Sequence, residues 1–214
     1  MKINKKLIIL TTVICISPII LSLIMYDKLP ENLAIHFDAA GNANGYAPKF
    51  FAVFGLPIIM ALVNLFGIFM LKNDPKKSNS SEALKLIGVW TVPILSLILT
   101  PITIFKGLGA SIPINLIIIP LIGILFIICG NYLPKCKQNY TVGIKLPWTL
   151  NNSDNWNKTH HLAGYMWIVG GLIVTLSSFI NSDVSFILTM CILAIIILVP
   201  GVYSYSLYKK DINK

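Results

Sequence analysis

The sequence predicts an all-α, polytopic membrane protein, a bundle of about six transmembrane helices. Three observations carry this reading. The 214 residues are 56% hydrophobic and only 12% charged, which lies outside the range of ordinary soluble domains. The apolar residues also fall in long blocks rather than at amphipathic spacing. Each block approaches the ~20 residues that a helix needs to cross about 30 Å of hydrocarbon, and a helix satisfies its own backbone in lipid. The alternating pattern of a membrane barrel is absent.

The first run is Leu7–Met25, preceded by Lys2, Lys5 and Lys6. Basic residues before an apolar stretch also describe a signal peptide, but this run is long for one and no small-x-small site follows promptly. We read an uncleaved first span. Tyr26–Lys49 follows as an outer loop whose Gly-rich, Asn-Gly centre reads as turns. Within it Leu33, Ile35 and Phe37 alternate with Ala34, His36 and Asp38, a short extended segment. The second run is Phe50–Leu71. After it, Lys72–Ser81 is a polar stretch with no apolar period, read as a mobile linker.

The third to sixth runs are Leu86–Ile104, Ile112–Cys129, Leu162–Ile180 and Val184–Tyr203. Short turns after the third and fifth make each a hairpin with its successor. The chain therefore divides into 1–71, two spans with outer loop 26–49; 72–85, an inner linker; 86–130, the third and fourth spans; and 131–214, an inner polar loop with the last two spans. Prolines 18, 57, 93, 101, 113, 120 and 200 fall within the runs, where each removes a backbone donor and shapes packing or opens a cavity.

Lysine placement sets orientation. Fourteen of the seventeen basic residues fall on one set of segments: Lys2, Lys5, Lys6, Lys72, Lys76, Lys77, Lys85, Lys135, Lys137, Lys145, Lys158, Lys209, Lys210 and Lys214. The other side keeps Lys28, Lys49 and Lys106. By the positive-inside rule both termini are expected in the cytoplasm. The formal charge of +9 is then mostly a topology signal, with anionic lipid as its natural partner and no direct nucleic acid. Every basic residue is lysine, which removes bidentate arginine clamps.

No Asp, Glu, Lys or His lies in the central part of any run. Coupled transporters and proton relays keep such groups there because the mechanism needs them. Asn64 and Asn115 are the main polar exceptions, read as interhelical hydrogen-bond formers. Cys15, Cys129, Cys136 and Cys191 form no C-x-x-C pair, so no disulfide framework or thiolate metal site is suggested. The chain is expected to be non-enzymatic, with no catalytic residues, cofactor or metal.

Two polar constellations remain. Asn151 with Asp154 approximates a capping box, and a helix from there places Trp156, Thr159 and His160 on one face. Trp148 and Trp156 would sit near headgroup depth. Two readings stand: an interfacial anchor for the fifth helix, or a docking surface for a cytoplasmic partner. In the outer loop, His36 and Asp38 share one face of an extended strand. They could form a hydrogen-bonded pair, a weak metal site or part of a peptide-contact surface.

The inner loop resembles a known family. Gly130-Asn131-Tyr132-Leu133-Pro134-Lys135, Asn139-Tyr140, Gly143-Ile144, Pro147-Trp148-Thr149-Leu150, and Trp156 with Thr159-His160 and Gly164 look like the signature of SdpI/YfhL-type membrane proteins. The outer loop, with Leu29-Pro30, Ile35-His36-Phe37, Gly41 and Lys49, resembles the domain of unknown function that accompanies that signature. The resemblance implies immunity to a secreted toxin peptide and recruitment of a small DNA-binding autorepressor. It would give partner-binding roles to Lys145, Pro147, Trp148, Trp156, Thr159, His160 and His161, and peptide sensing to His36, Phe37 and Asp38. The chain departs from the family where arginine is usual, carrying Lys145-Leu146 and His161, so Lys145 offers only a point charge. The alternative from another class is a cell-envelope enzyme, such as a metal-dependent hydrolase using His36 and Asp38.

Overall fold

The computed structural model describes residues 3–38 and 40–213. It is mostly helical, and five helical segments are long and apolar enough to cross a membrane: Lys5–Lys28, Phe51–Asn73, Glu82–Gly107, Asn115–Lys135 and Ser182–Ile212. Their outer faces carry large exposed apolar side chains such as Ile20, Phe66 and Leu198. In water such surfaces would aggregate; in lipid they are the solvated face. This is a multi-pass membrane protein. The remaining expected run lies on a sixth long helix whose first turns are polar and buried, which dilutes its apolar character.

The chain forms two compact units, Met1–Lys72 with Leu86–Ile114, and Asn73–Lys85 with Asn115–Lys214. In the first, α1 (Lys5–Ile16) and α2 (Pro18–Met25) are the single expected span, interrupted at Ser17. Pro18 has no N–H, so the Ile14 carbonyl loses its helical donor; the Ser17 hydroxyl donates to it at 2.9 Å. Ser96 of α4 (Glu82–Gly107) donates to the neighbouring Cys15 carbonyl at 2.7 Å. Asn64 of α3 (Leu56–Asn73) donates to Thr11 of α1 at 3.1 Å, the interhelical bond expected of it. Asn115 is instead the first residue of α5 (Asn115–Tyr132), not a mid-span group.

The loop 26–49 is more ordered than turns alone. β1 (Asn32–Phe37) pairs antiparallel with β2 (Ala43–Pro48). Ala34 faces Tyr46, His36 faces Gly45 and Phe37 faces Ala43, so Ile35 and then Asn44 are bulged out. The bulge breaks the expected alternation: Leu33 and Ala34 are both buried while Ile35 is exposed. Leu33 joins Leu29, Ala52, Val53 and Ile104 in one apolar cluster, which holds the hairpin on the helices.

The second unit is built on α5, α7 (Ser153–Ser177) and α8 (Ser182–Ile212), with the short α6 (Pro147–Asn151) beside them. Two glycine pairs set the α5–α7 contact. A Cβ on Gly130 would lie 2.8 Å from the Gly164 carbonyl, and one on Gly123 would lie 2.5 Å from that of Gly171. Both approaches are closer than real Cβ atoms tolerate, and the pairs are seven residues apart on each helix. They form an antiparallel seam where backbone meets backbone, the arrangement favoured where lipid removes the hydrophobic drive for helix association. At Pro200 of α8 the freed Ile196 carbonyl accepts the indole N–H of Trp167 at 3.1 Å. At Pro18 and Pro200 the opened carbonyl finds a side-chain donor, so these prolines serve packing.

Candidate functional site

The polar loop 133–152 is knotted rather than open. Asn139, fully buried, organises its turn: its Oδ1 accepts from the backbone N–H of Thr141 at 3.0 Å and of Val142 at 2.7 Å. Its amide donates to the Lys137 carbonyl at 2.9 Å. Gln138 donates to the carbonyls of Thr149 and Leu150, both at 2.8 Å, and so holds the last turn of α6. Pro147 stands at the first position of α6, where a missing N–H costs nothing. Thr149 closes that helix start by accepting the Leu146 N–H at 2.9 Å and donating toward the Ile144 carbonyl at 2.8 Å.

Trp156 and His160 form the centre of the knot. Both are fully buried and stack with ring centroids 3.9 Å apart. The Trp156 indole donates to the Cys136 carbonyl at 2.6 Å, fastening the loop's start to α7. His160 Nδ1 donates to the Trp156 carbonyl at 2.7 Å, while Nε2 accepts the Ile144 N–H at 2.9 Å. This pattern needs the neutral ring, because a proton on Nε2 would face another donor. Burial, only partly opposed by the Trp156 carbonyl, lowers the His160 pKa to about 4. Gly143 passes directly over these rings with φ +113°, a conformation only glycine adopts readily, and any Cβ there would strike the imidazole.

The segment 74–81, expected as a mobile linker, is part of the same knot. Asp74 accepts from the Lys76 N–H at 2.7 Å, the Tyr140 N–H at 2.9 Å and the Thr141 hydroxyl at 2.6 Å. Burial opposes its charge, but these donors prevail and hold the carboxyl below its ordinary pKa. Lys76 donates to the Gln138 side chain at 2.7 Å, and Asn79 to the Gln138 carbonyl at 2.8 Å. Polar sequence without apolar period gave no sign of this, because the partners lie some sixty residues away.

Below the knot, the cap of α7 is Asn152 rather than Asn151: its side chain accepts from Asp154 N–H at 2.8 Å and Asn155 N–H at 3.1 Å. Asn151 is taken up by α6, a helix that the Leu146-Pro147 start and Thr149 could have signalled. Asn155, also unread in the sequence, exchanges hydrogen bonds with Ser204 of α8, at 2.9 Å to its carbonyl and 2.7 Å from its hydroxyl. Thr159 donates to the same Asn155 oxygen at 3.1 Å.

Burial thus separates the residues expected to bind a partner. Trp156, Thr159 and His160 share one face, as their spacing predicts, and that face is interior. Trp148 packs against Tyr205 and Tyr208, with centroids 5.3 and 5.7 Å away. Lys145, Pro147 and His161 are exposed, with Lys145 Nζ donating to the Thr141 carbonyl at 2.9 Å.

On the hairpin, His36 and Asp38 do not pair with each other. His36 Nδ1 meets Asn44 Oδ1 at 2.5 Å, and Asp38 accepts the Asn42 N–H at 2.8 Å to close the turn. Phe37 lies beneath the Lys106 ammonium, 5.2 Å from the ring centroid. Among the described residues no three His, Cys, Asp or Glu side chains gather as a metal site.

A multi-pass helical membrane protein with an ordered hairpin and a polar loop knotted around a buried tryptophan–histidine stack is a recognisable class. The SdpI/YfhL protein family matches residues 135–204, which cover the knot, α7 and most of α8. A domain of unknown function, DUF1648, matches residues 13–61, including the hairpin. Over residues 135–204 the chain is similar to the SdpI/YfhL family. It is similar to the immunity protein SdpI of Bacillus subtilis (strain 168), with 29% identity over 206 residues, 96% of this chain and 97% of that protein. No solved structure matches the chain.

Proposed function

We propose that this protein is a non-enzymatic immunity protein that protects its cell from a secreted killing peptide and passes word of the peptide to a cytoplasmic autorepressor. The observation that carries the reading is the end-to-end similarity to a protein named for immunity, spanning hairpin and knot alike. The lysine distribution supports both termini and the 133–152 loop facing the cytoplasm, with the hairpin outside. His36, Phe37 and Asp38 then form the peptide-facing edge. On the inner side Lys145, Pro147 and His161 offer the accessible contact, while Trp148, Trp156, Thr159 and His160 hold the surface in shape. Anchoring of α7 and partner contact are therefore two tasks of one motif.

Two substitution sets in a toxin-sensitive strain test this. Lys145→Ala with His161→Ala should reduce membrane recruitment of a co-expressed family repressor while survival under toxin is retained. His36→Ala with Asp38→Ala should reduce survival with the protein still present in the membrane. If both sets leave survival and recruitment at wild-type levels, these surfaces are not the working ones.

A further inference from the structure

We propose that the corner where α6 meets the end of α8 binds the headgroup of an anionic phospholipid, with Lys209 and Lys210 holding its phosphate and Trp148 donating to one of its oxygens. Depth argues for a lipid over a protein. α8 runs from Ser182 to Ile212, and the acid of its first turn is Asp183. At ~1.5 Å per residue, about 20 residues from Val184 onward cross the ~30 Å of hydrocarbon, so the helix leaves that layer near Tyr203. Its next two turns carry Tyr205, Tyr208, Lys209 and Lys210, all exposed, and these lie among headgroups.

The corner is held from behind. Ser204 exchanges hydrogen bonds with Asn155 of α7, and Asp211 accepts the Asn152 amide at 2.9 Å. Ser204, Tyr208 and Asp211 thus share the stripe of α8 that meets α6 and α7, at i, i+4 and i+7. The Tyr208 ring stacks on Trp148, with planes 24° apart. Tyr205 and Lys209 stand on the neighbouring stripe at i and i+4, where the Tyr205 ring meets Trp148 edge-on and is 49% exposed. Asp211 is the acid of these turns, and it faces Asn152, so the outward stripe is basic.

One donor at this corner finds no acceptor in the protein. Among the described residues three buried side-chain atoms lack a hydrogen-bond partner: Asn64 Oδ1, Thr189 Oγ1 and Trp148 Nε1. The first two lie within apolar spans, and Trp148 alone stands at headgroup depth. An indole N–H can only donate, and burying it unpaired is costly. Tyr205 screens it, but a half-exposed side chain changes rotamer within nanoseconds. When that ring turns, a phosphate or ester oxygen reaches the N–H. A zwitterionic lipid offers the same oxygens without net charge for the lysines, so the site favours anionic headgroups.

Native mass spectrometry of the full chain in detergent, titrated with phosphatidylglycerol or phosphatidylcholine, tests the site. The wild type should hold phosphatidylglycerol about tenfold more tightly or better. Lys209→Ala with Lys210→Ala should abolish that preference. Trp148→Phe, which keeps a ring and removes the N–H, should weaken both lipids about fivefold, the equivalent of one lost hydrogen bond. Lys5→Ala with Lys6→Ala removes the same charge elsewhere and should leave the preference intact. If Trp148→Phe does not fold, the two lysine pairs decide alone. Equal loss in both pairs overturns the site, because the attraction is then diffuse. A wild type that binds the two lipids alike also overturns it, and leaves the corner to a protein partner. Trp148→Phe binding as tightly as the wild type overturns the part given to the indole. None of these results bears on the survival and recruitment tests.

Discussion

His160 shows what one side chain does in the knot. Its neutral ring bridges α7 and the Ile144 backbone, and burial holds its pKa at about 4, below the ordinary 6.5. Between these values the unfolded loop binds a proton that the folded one refuses, so stability is full above about pH 6.5 and falls as pH drops towards 4. The loss reaches about 3 kcal/mol by linkage. Thermal unfolding in detergent at pH 7 and pH 4.5 should show the drop, and His160→Gln should flatten it. Gly143→Ala joins a left-handed backbone to a collision with that ring, a cost of about 2–4 kcal/mol. It should lower the unfolding midpoint far more than any substitution at exposed His161. Here the sequence was legible in part. Spacing placed Trp156, Thr159 and His160 on one face, but spacing does not say what covers a face, and the cover proves to be the loop itself.

Among the elements, helix boundaries were largely readable from apolar runs and prolines. The glycine seam between α5 and α7 was not, although Gly130 and Gly164 stood in the motif. A contact between two helices needs both lines of sequence in antiparallel register, and only the structure supplies the register. Gly123→Val or Gly130→Leu should push the helices apart and destabilise the protein by about 2–4 kcal/mol. Gly201→Ala, in an open position of α8, should instead be neutral or stabilise by up to ~1 kcal/mol. Unfolding midpoints of the variants in one detergent give the comparison. The hairpin was legible as an extended segment beside turns, but its two bulges were hidden, since pairing partners decide them. The 74–81 segment was illegible for the same reason: Asp74, Lys76 and Asn79 look like solvated loop residues until Gln138, Tyr140 and Thr141 are set beside them.

At the scale of the whole molecule, each matched region lies within one compact unit, DUF1648 in the first and the SdpI/YfhL signature in the second. Composition and block length made the membrane class legible, because burying apolar surface in lipid imposes itself on every span. The proposed function was suggested by motif resemblance and not by the polar residues themselves, since His36 bonds to Asn44 and Asp38 to Asn42 instead of to each other. The proposal that this scaffold serves immunity is decided most directly in cells. A strain sensitive to family killing peptides should survive peptide challenge when it carries this chain in its membrane, and die without it. Equal killing with and without the protein, across several such peptides and with its membrane insertion verified, would contradict the account.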